Sequence, residues 1–412
     1  MILSPGIILP SLEYPQYLDN VDMLESLAKR HTLFIAGNIR GKLPFAREQI
    51  SYAGLTDTEK KISVANKIFK KIGSTLLELS NNSRIFSTMR NRYEKSENSR
   101  LEKLCYSFFK KHQIDVFYAF PFYPDVYHIS VANRLFKPII CEFWEDQVVF
   151  NAEIMHNKGY DQKVISKEMH RGYDWFKYII TSSSQVIVPS QVFKVIIESL
   201  GFRDKVSIAH VCANLEEEKN ARVRLRQNYS VNENIVIYYS SSLSAWQDLD
   251  TLLNALRLCK QKEKMVLVVI GNKKILDGKI RDEDHFRVIS LGNLNQHDAY
   301  LHLEMADICV APYKFHYKSG FFPGKIVRYM MAGKAVIATD LEEVREVLNG
   351  TGLLITQCDS QGFANALDYL VDNGGLRERL GRSGKEVASR SYTWENHSDK
   401  IIPILESLVK NG

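Results

Sequence analysis

An acidic cluster near residue 145 is the first feature of this chain that could take part in catalysis. Glu142, Glu145 and Asp146 follow or end the apolar segment 138–143, which is predicted to be a strand. A carboxylate at a strand end could orient a hydroxyl group or take its proton, because a general base must lie within hydrogen-bond reach of that proton. The three acids could equally cap the next helix. His128, upstream on a predicted helix, is a further candidate for the catalytic role.

A second candidate site lies at the start of the predicted helix from Pro323 to Met331. Backbone N–H groups at a helix N-terminus can bind phosphate or another anion, and Lys325 would add a positive charge there. Arg328 follows at i+3 and shares that helical face, so it could reach the same anion or pair with Glu342 or Glu343. A buried crossover whose glycines are only caps would show the same pattern.

The elements that must position these residues alternate between strands and helices. In the first half, strands are predicted at 6–9, 31–36, 115–120, 138–143, 185–189 and 206–210. In the second half, they are predicted at 235–239, 265–270, 287–290, 307–311, 335–339 and 353–356, and a helix is predicted to open at Asp340. Such alternation implies parallel sheets. We therefore predict an α/β chain of two Rossmann-like domains facing a cleft, with ligands beyond the carboxyl ends of the strands.

The same alternation predicts the domain boundaries. Residues 1–210 would form an N-terminal domain and residues 211–393 a C-terminal domain, with the charged segment Leu215–Arg226 as a connector. The last helix, residues 394–412, could pack back on the N-terminal domain.

Composition indicates a globular protein. The chain has 412 residues, enough for two domains, and its 45% hydrophobic and 25% charged content is ordinary for such proteins. No apolar run approaches the roughly 18 to 20 residues that span a bilayer, and no signal peptide is predicted. The six scattered cysteines have no metal-ligand spacing. They are expected to be reduced core residues of a cytoplasmic protein.

The positive charge is concentrated in one region. Residues 29–111 hold 18 Lys/Arg against 7 Asp/Glu, a balance of +11 in a chain whose total is +6. The predicted helix Thr58–Leu79 in this region is amphipathic and basic, so it could lie on an anionic membrane surface from the cytoplasmic side. It could also be a surface helix with a solvated lysine face. Nucleic acid is not predicted as a partner, because no recognised motif accompanies the charge.

Several segments resemble one family of sugar-transferring enzymes. Its strand, loop, helix and "aDi-v-Py" strand are matched by SLGNLNQHDAYLHLEMADICVAPY, and its "K-x-x-E-Y-M-A-x-G-K-P-V-I-A-T-D" segment by KIVRYMMAGKAVIATD. Its acceptor-domain strand end is matched by PIICEFWED. From about Ile235 to Trp394 the chain is similar to the retaining glycosyltransferases of GT-B architecture, the group usually called family four.

The resemblance implies transfer of a sugar from a nucleotide-diphosphate donor to a glycan or lipid-linked acceptor, with retention and without a metal, in polysaccharide or glycoconjugate synthesis. The C-terminal domain would hold the donor and the N-terminal domain the acceptor. Gly292 and Leu294 match the family position where backbone groups meet the base, and Gly271 could approach the donor closely. Phe321 and Lys325 belong to the donor loop, with Lys325 as the leading diphosphate ligand.

The chain departs from the family signature of two glutamates separated by seven residues. Counting back from Gly333, these positions are Gly320 and Arg328, so both carboxylates are missing. Arginine has no hydrogen-bond acceptor and cannot bind ribose hydroxyls as glutamate does. The family's phosphate-binding Arg and Lys fall at Ser242 and Gln247, so both of those charges are missing too.

Three hypotheses follow. The chain could be an active transferase whose donor phosphates are bound by Lys325, Arg328 or Lys318. It could be a degenerate relative that serves as a binding or partner subunit of a glycosyltransferase complex. It could be another GT-B enzyme, such as a nucleotide-sugar epimerase, although no active-site acids of such an enzyme can be placed in the sequence.

Overall fold

The computed structural model describes most of the chain. It covers residues 6–8, 17–30, 33–37, 46–51, 99–100, 102–112, 114–121, 126–213, 218, 220–317 and 320–411. The predicted basic helix Thr58–Leu79 and Lys318 lie outside these residues. Within the described part of the chain, no helix is long and apolar enough to cross a membrane.

The N-terminal half is built on a parallel sheet of seven strands. The strands are β1 (Gly6–Ile8), β2 (Leu33–Gly37), β3 (Ala46–Ser51), β4 (Phe117–Ala119), β5 (Ile139–Glu142), β6 (Gln185–Val188) and β7 (Val206–Ile208). They lie in the order β3-β2-β1-β4-β5-β6-β7. β4 and β5 are buried along their whole length, which is why they are mostly apolar in the sequence, apart from Glu142 at the end of β5.

Helices connect these strands. They are α1 (Tyr17–Ala28), α2 (residues 102–110), α3 (Tyr127–Arg134), α4 (Gln147–Asn157), α5 (Gln162–Ser182) and α6 (Gln191–Ser199). One strand of this half, β3, was not predicted, because it is an edge strand of mostly polar and charged residues and has no apolar signal. The alternative in which the acids cap the next helix holds for Asp146, which accepts from the N–H groups of Val148 and Val149 at the start of α4.

The C-terminal half contains a second parallel sheet, of six strands. The strands are β8 (Ile235–Ser240), β9 (Met265–Ile270), β10 (Arg287–Gly292), β11 (Ile308–Ala311), β12 (Ala335–Thr339) and β13 (Leu353–Ile355). Their order is β10-β9-β8-β11-β12-β13, so the strand order reverses between β8 and β11. In open α/β sheets this reversal creates the crevice where ligands bind. The prediction of two parallel α/β sheets is confirmed.

The helices of this half are α7 (Ala221–Asn228), α8 (Leu249–Leu258), α9 (Lys273–Asp277), α10 (Gln296–Leu303), α11 (Gly324–Met331), α12 (Glu342–Leu348), α13 (Ser360–Asp372), α14 (Gly374–Ser391) and α15 (Trp394–Asn411). Two predictions were wrong here. The predicted connector includes part of α7, whose Arg222 and Arg226 both pair with Asp307 next to β11. The helix predicted to open at Asp340 begins at Glu342, because the Asp340 carboxylate instead binds Arg345.

The two halves pack into one structure. One core cluster contains buried residues of both sheets, such as Tyr118 of β4 and Tyr238 of β8. The last helix, α15, lies against α1: Ser26 Oγ donates to the carbonyl oxygen of Trp394 at 3.3 Å and accepts from Ser398 Oγ at 2.9 Å. The residue numbers of the domain boundaries stay predictions.

Candidate donor and acceptor sites

The loops beyond the carboxyl ends of the two sheets meet each other. The ring of Phe150, which follows β5, lies 5.0 Å from the ring of Trp246, which follows β8. The Glu153 carboxylate on α4 binds His316, which follows β11. Both predicted sites therefore lie where the two halves of the chain face each other.

Lys325 lies in the first turn of α11, whose N-cap, Pro323, provides no side-chain cap. Part of the lysine stem is exposed, but Nζ is inaccessible to solvent and has no hydrogen-bond partner among the described residues. Nζ lies 5.1 Å from the ring centroid of Tyr239 and 5.2 Å from that of Tyr313. Burial, with a smaller contribution from nearby Arg328, lowers the pKa of Lys325 to about 7.

Arg328 stands beside Lys325 on the same helix. Its Nε donates to Tyr300 Oη at 2.6 Å, and Tyr300 Oη in turn accepts from Gln296 Nε2 at 2.5 Å. α10 thus orients the guanidinium, which lies over the first turn of α11: a Cβ built on Gly324 would be 3.9 Å from it. Two basic side chains lie at the N-terminus of α11, where the helix dipole is positive, and this arrangement suits an anion.

Ser242 and Gln247, which replace the expected basic pair, lie in the loop after β8. Ser242 Oγ is 3.2 Å from Gln247 Oε1, and the Gln247 carbonyl accepts from the Tyr239 hydroxyl. Because Lys325 Nζ lies 5.1 Å from the Tyr239 ring, Tyr239 is a neighbour of both Gln247 and Lys325. The loop after β8 supplies neutral hydrogen-bonding groups, and α11 supplies the charge.

The two glycines predicted to meet the donor contact each other. Gly271 N–H donates to the Gly292 carbonyl oxygen at 2.9 Å. A Cβ at Gly271 would lie 2.4 Å from the Ser241 carbonyl oxygen, so close approach of the loop after β8 requires glycine. Gly292 has φ +68 at an irregularity between β9 and β10, and Leu294 packs partly buried against the shared core. Backbone geometry is enough to explain why Gly271 and Gly292 are glycines. Their contact with the nucleotide base of the donor stays a prediction.

The structure gives a steric reason for the missing glutamate at Gly320. A Cβ at Gly320 would lie 2.6 Å from Cγ of Phe193, a buried residue of α6 in the N-terminal half. No side chain fits there in this arrangement. Phe321 is buried, with its ring 5.1 Å from Tyr313 and 5.0 Å from Phe315, so it anchors the loop from inside.

Among the three predicted acids, Glu142 is buried in a network of its own. Tyr118 Oη donates to one carboxylate oxygen, Trp144 Nε1 donates to the other, and His397 Nε2 lies 3.5 Å away. Burial lowers the pKa of His397, but the Glu142 charge outweighs this effect and holds that pKa above its ordinary value. Glu142 therefore ties α15 to the end of β5, and its oxygens are occupied by protein groups.

Glu145 and Asp146 are arranged differently. Asp146 Oδ1 caps α4, whereas Oδ2 is buried with no hydrogen-bond partner among the described residues. Burial raises the pKa of Asp146 to about 6, although its two capping hydrogen bonds act in the opposite direction. Burial and the neighbouring Asp146 raise the pKa of Glu145 to about 7. Two adjacent carboxyl groups that titrate near neutral pH can exchange a proton with a hydroxyl group.

His128 lies on α3 and is buried. Burial lowers its pKa to about 3, so the imidazole is neutral at physiological pH. Its Nε2 atom has no hydrogen-bond partner within the described ranges, which leave out residues 122–125 just upstream. A neutral imidazole of this kind can donate or accept a hydrogen bond.

Two residues at the meeting of the halves were not predicted. Trp246 stacks on Tyr313 and Phe315 with ring centroids 6.1 and 5.4 Å apart. Its only signal in the sequence is its place beside Gln247. Glu153 is a fully buried carboxylate on α4, and nothing in the sequence distinguishes it from a surface glutamate, because its partners lie in the other half of the chain.

Part of the chain is similar in sequence to known proteins. Residues 234–373 match the model of the family described as glycosyl transferases group 1. An uncharacterized glycosyltransferase of Methanocaldococcus jannaschii is 23% identical over 248 residues, which are 57% of this chain and 61% of that protein. A phosphatidyl-myo-inositol mannosyltransferase of Mycobacterium leprae is 32% identical over 131 residues, 31% of this chain and 33% of that protein. The matches thus span less than two thirds of these curated relatives.

Solved structures resemble the whole chain. Anabaena HepE in complex with UDP and glucose aligns with a TM-score of 0.66 and 14% identity over 98% of this chain and all of that one. Sucrose-phosphate synthase of Thermosynechococcus elongatus aligns with a TM-score of 0.71 and 15% identity over 99% of this chain and all of that one. The chain has the GT-B fold, and its residues 234–373 match the glycosyl transferases group 1 model. The predicted fold class is confirmed.

Proposed function

We propose that this GT-B protein is a glycosyltransferase that takes a sugar from a nucleotide-diphosphate donor bound at the start of α11. The observation that carries the proposal is Lys325, a buried ammonium group with no hydrogen-bond partner among the described residues. A charge in such surroundings is costly unless a counter-charge is present. The diphosphate of the donor would supply that counter-charge.

The diphosphate site uses the first turn of α11 and the loop after β8. Lys325 and Arg328 would neutralise the charge that develops on the leaving diphosphate, with help from the helix N-terminus. Ser242 and Gln247 would donate or accept neutral hydrogen bonds in the position where relatives carry two cations. We expect no metal to be needed, because these groups supply positive charge at the leaving group.

The acceptor hydroxyl would approach from the N-terminal half. Glu145 and Asp146 are the groups that would orient it or take its proton, since Asp146 Oδ2 is unoccupied by the described residues and both pKa values lie near neutrality. Glu142 stabilises the structure around these two residues. The neutral His128 imidazole would bind a sugar hydroxyl. A glycan or lipid-linked acceptor, retained configuration, and a cytoplasmic location at the membrane surface belong to the same proposal.

A binding screen tests the donor site. The wild-type protein is titrated with nucleoside diphosphates and nucleotide sugars, and thermal unfolding is followed. A ligand supplied at about 100-fold excess over its Kd should stabilise the protein by about 2.7 kcal/mol. Lys325→Ala should reduce the response to about half or less, and Gln247→Ala should weaken it only slightly, because glutamine carries no charge.

The outcomes separate the two main hypotheses. A response that depends on Lys325, followed by sugar transfer to a glycan or lipid-linked acceptor, would support the enzyme. No response to any nucleotide across the screen would contradict the donor site and favour a partner subunit of a glycosyltransferase complex. A response as large in Lys325→Ala as in the wild type would place the nucleotide elsewhere.

A further inference from the structure

The loop between β11 and α11 leads directly into the proposed diphosphate site. The backbone of each of its first residues is hydrogen-bonded to another part of the protein. Tyr313 N–H donates to Thr339 Oγ1 at 2.8 Å, and Lys314 N–H donates to the Trp246 carbonyl oxygen at 2.8 Å. Gln357 binds both the N–H and the carbonyl oxygen of Phe315, at 3.0 and 3.1 Å. All of these partners belong to the C-terminal half.

The next two residues of the loop are held from the other half of the protein. Glu153 of α4 accepts from His316 N–H at 2.6 Å, from Tyr317 N–H at 2.8 Å and from His316 Nδ1 at 2.9 Å. The carboxylate is fully buried, whereas the His316 side chain is 30% exposed. Three donors converge on one acidic group, which suits a carboxylate because it has about four acceptor positions.

We propose that Glu153 is a positioning residue through which the N-terminal half fixes the donor loop and, with it, the start of α11. This inference rests on the proposed function, since it deepens the account of the same diphosphate site. Ordinary loop packing would require only partners of the same domain, as Tyr313, Lys314 and Phe315 have. Glu153 instead makes the geometry of the donor loop depend on how the two halves are docked.

The helix that carries Glu153 also carries the proposed acceptor acids. Asp146 caps the N-terminus of α4, and Glu153 lies seven residues later, about 10 Å along the same rigid helix. A movement of α4 at the acceptor end therefore reaches the donor loop without an intermediate element. Gly320, packed on Phe193 of α6, gives the loop a second contact with the N-terminal half. Donor and acceptor sites are thus mechanically linked through α4.

Hydrogen–deuterium exchange of the ligand-free protein tests the first part of the proposal. In Glu153→Ala, the amides of His316 and Tyr317 lose their acceptor and should exchange about tenfold faster or more. Glu153→Gln keeps one oxygen for the two backbone amides and should give an intermediate rate. Gln162→Ala is the matched control: it removes the 3.2 Å hydrogen bond between Tyr317 Oη and Gln162 Oε1 in the same region, but it leaves both amides bound.

UDP titration calorimetry tests the second part. Glu153→Ala should weaken UDP binding about tenfold, Glu153→Gln less, and Gln162→Ala not at all. Exchange rates at 316 and 317 that match the wild type would overturn the proposal. So would faster exchange combined with unchanged UDP affinity, because the loop would then not position the site.

A failure of the proposed function gives a different result. If the wild-type protein binds neither UDP nor any other nucleotide, the donor site is wrong, and the exchange rates alone decide whether Glu153 fixes the loop. If Glu153→Ala does not fold, amide exchange and UDP affinity are measured on Glu153→Gln instead. Exchange rates at residues 316 and 317, or a UDP affinity, equal to those of the wild type would then contradict the proposal.

Discussion

Each half of the protein presents a buried charged group near the face where the halves meet, and the two groups have opposite surroundings. Glu142 receives hydrogen bonds from Tyr118 and Trp144 and lies 3.5 Å from His397. Lys325 Nζ, in contrast, lies over the faces of Tyr239 and Tyr313, and no described residue accepts a hydrogen bond from it.

The difference distinguishes a structural charge from a binding charge. A buried ionic group that has all its partners contributes to the architecture, and breaking its network is costly. A buried ionic group without partners has a perturbed pKa and is suited to a ligand of the opposite charge. By this criterion Glu142 belongs to the framework, although its position at the end of β5 suggested catalysis, and Lys325 is the group that we propose for the donor site.

The largest expected effect is the loss of Glu142. Glu142→Ala leaves His397 buried without a counter-charge and should lower the free energy of unfolding by about 3–5 kcal/mol, measured by urea denaturation. Glu386→Ala is the control, since Glu386 of α14 is exposed, and should change stability by less than about 1 kcal/mol. A loss of stability no greater than in the control would show that Glu142 is not part of the framework.

Loss of Lys325, in contrast, should weaken ligand binding and leave stability unchanged. Lys325→Ala removes an unpaired buried amine, so stability should not fall, but nucleoside diphosphate binding should weaken by about 1.5–3 kcal/mol, the range for hydrogen bonds to charged groups. Calorimetric titration measures the affinity. Lys314→Ala, an exposed lysine in the preceding loop, should bind as the wild type does. Equal losses in both variants would mean that binding reflects only general positive charge.

Gly320 tests the packing between the halves. In Gly320→Ala the new methyl group meets Phe193, and overpacking of this kind should cost about 1–3 kcal/mol of stability. Gly375→Ala is the control, because a Cβ there has no atom within 4 Å. If both variants unfold at the same denaturant concentration, Phe193 does not explain the absence of a glutamate at position 320.

The pH dependence of binding gives the smallest effect. The charged form of Lys325 binds the diphosphate, and its pKa of about 7 means that this form is lost as pH rises through neutrality. Affinity should therefore be highest near or below pH 7 and should fall by up to about tenfold per pH unit above it. In Lys325→Arg the charge persists, so the decline should be much weaker. An identical pH profile in the two proteins would rule out Lys325 as the titrating group.

The sequence predicted more of the fold than of the site. Every strand of the C-terminal sheet was predicted, because strands such as Met265–Ile270 are buried apolar runs between turns. β3 was missed because a polar edge strand has no such signal. For the site, Lys325 follows from local helix geometry. The role of Glu142 does not, because its partner His397 lies on the last helix and only folding brings them together.

We propose that Lys325 is at most half-charged in the free protein and becomes fully charged when a diphosphate binds. NMR titration of isotope-labelled lysine side chains, with Lys325 assigned from the spectrum of Lys325→Arg, tests it most directly. We predict a pKa of about 7 for the free protein and a marked rise when the best-binding nucleoside diphosphate of the screen is added, because the anion stabilises the ammonium form. A pKa near the ordinary lysine value, or one that the nucleotide leaves unchanged, would contradict the account.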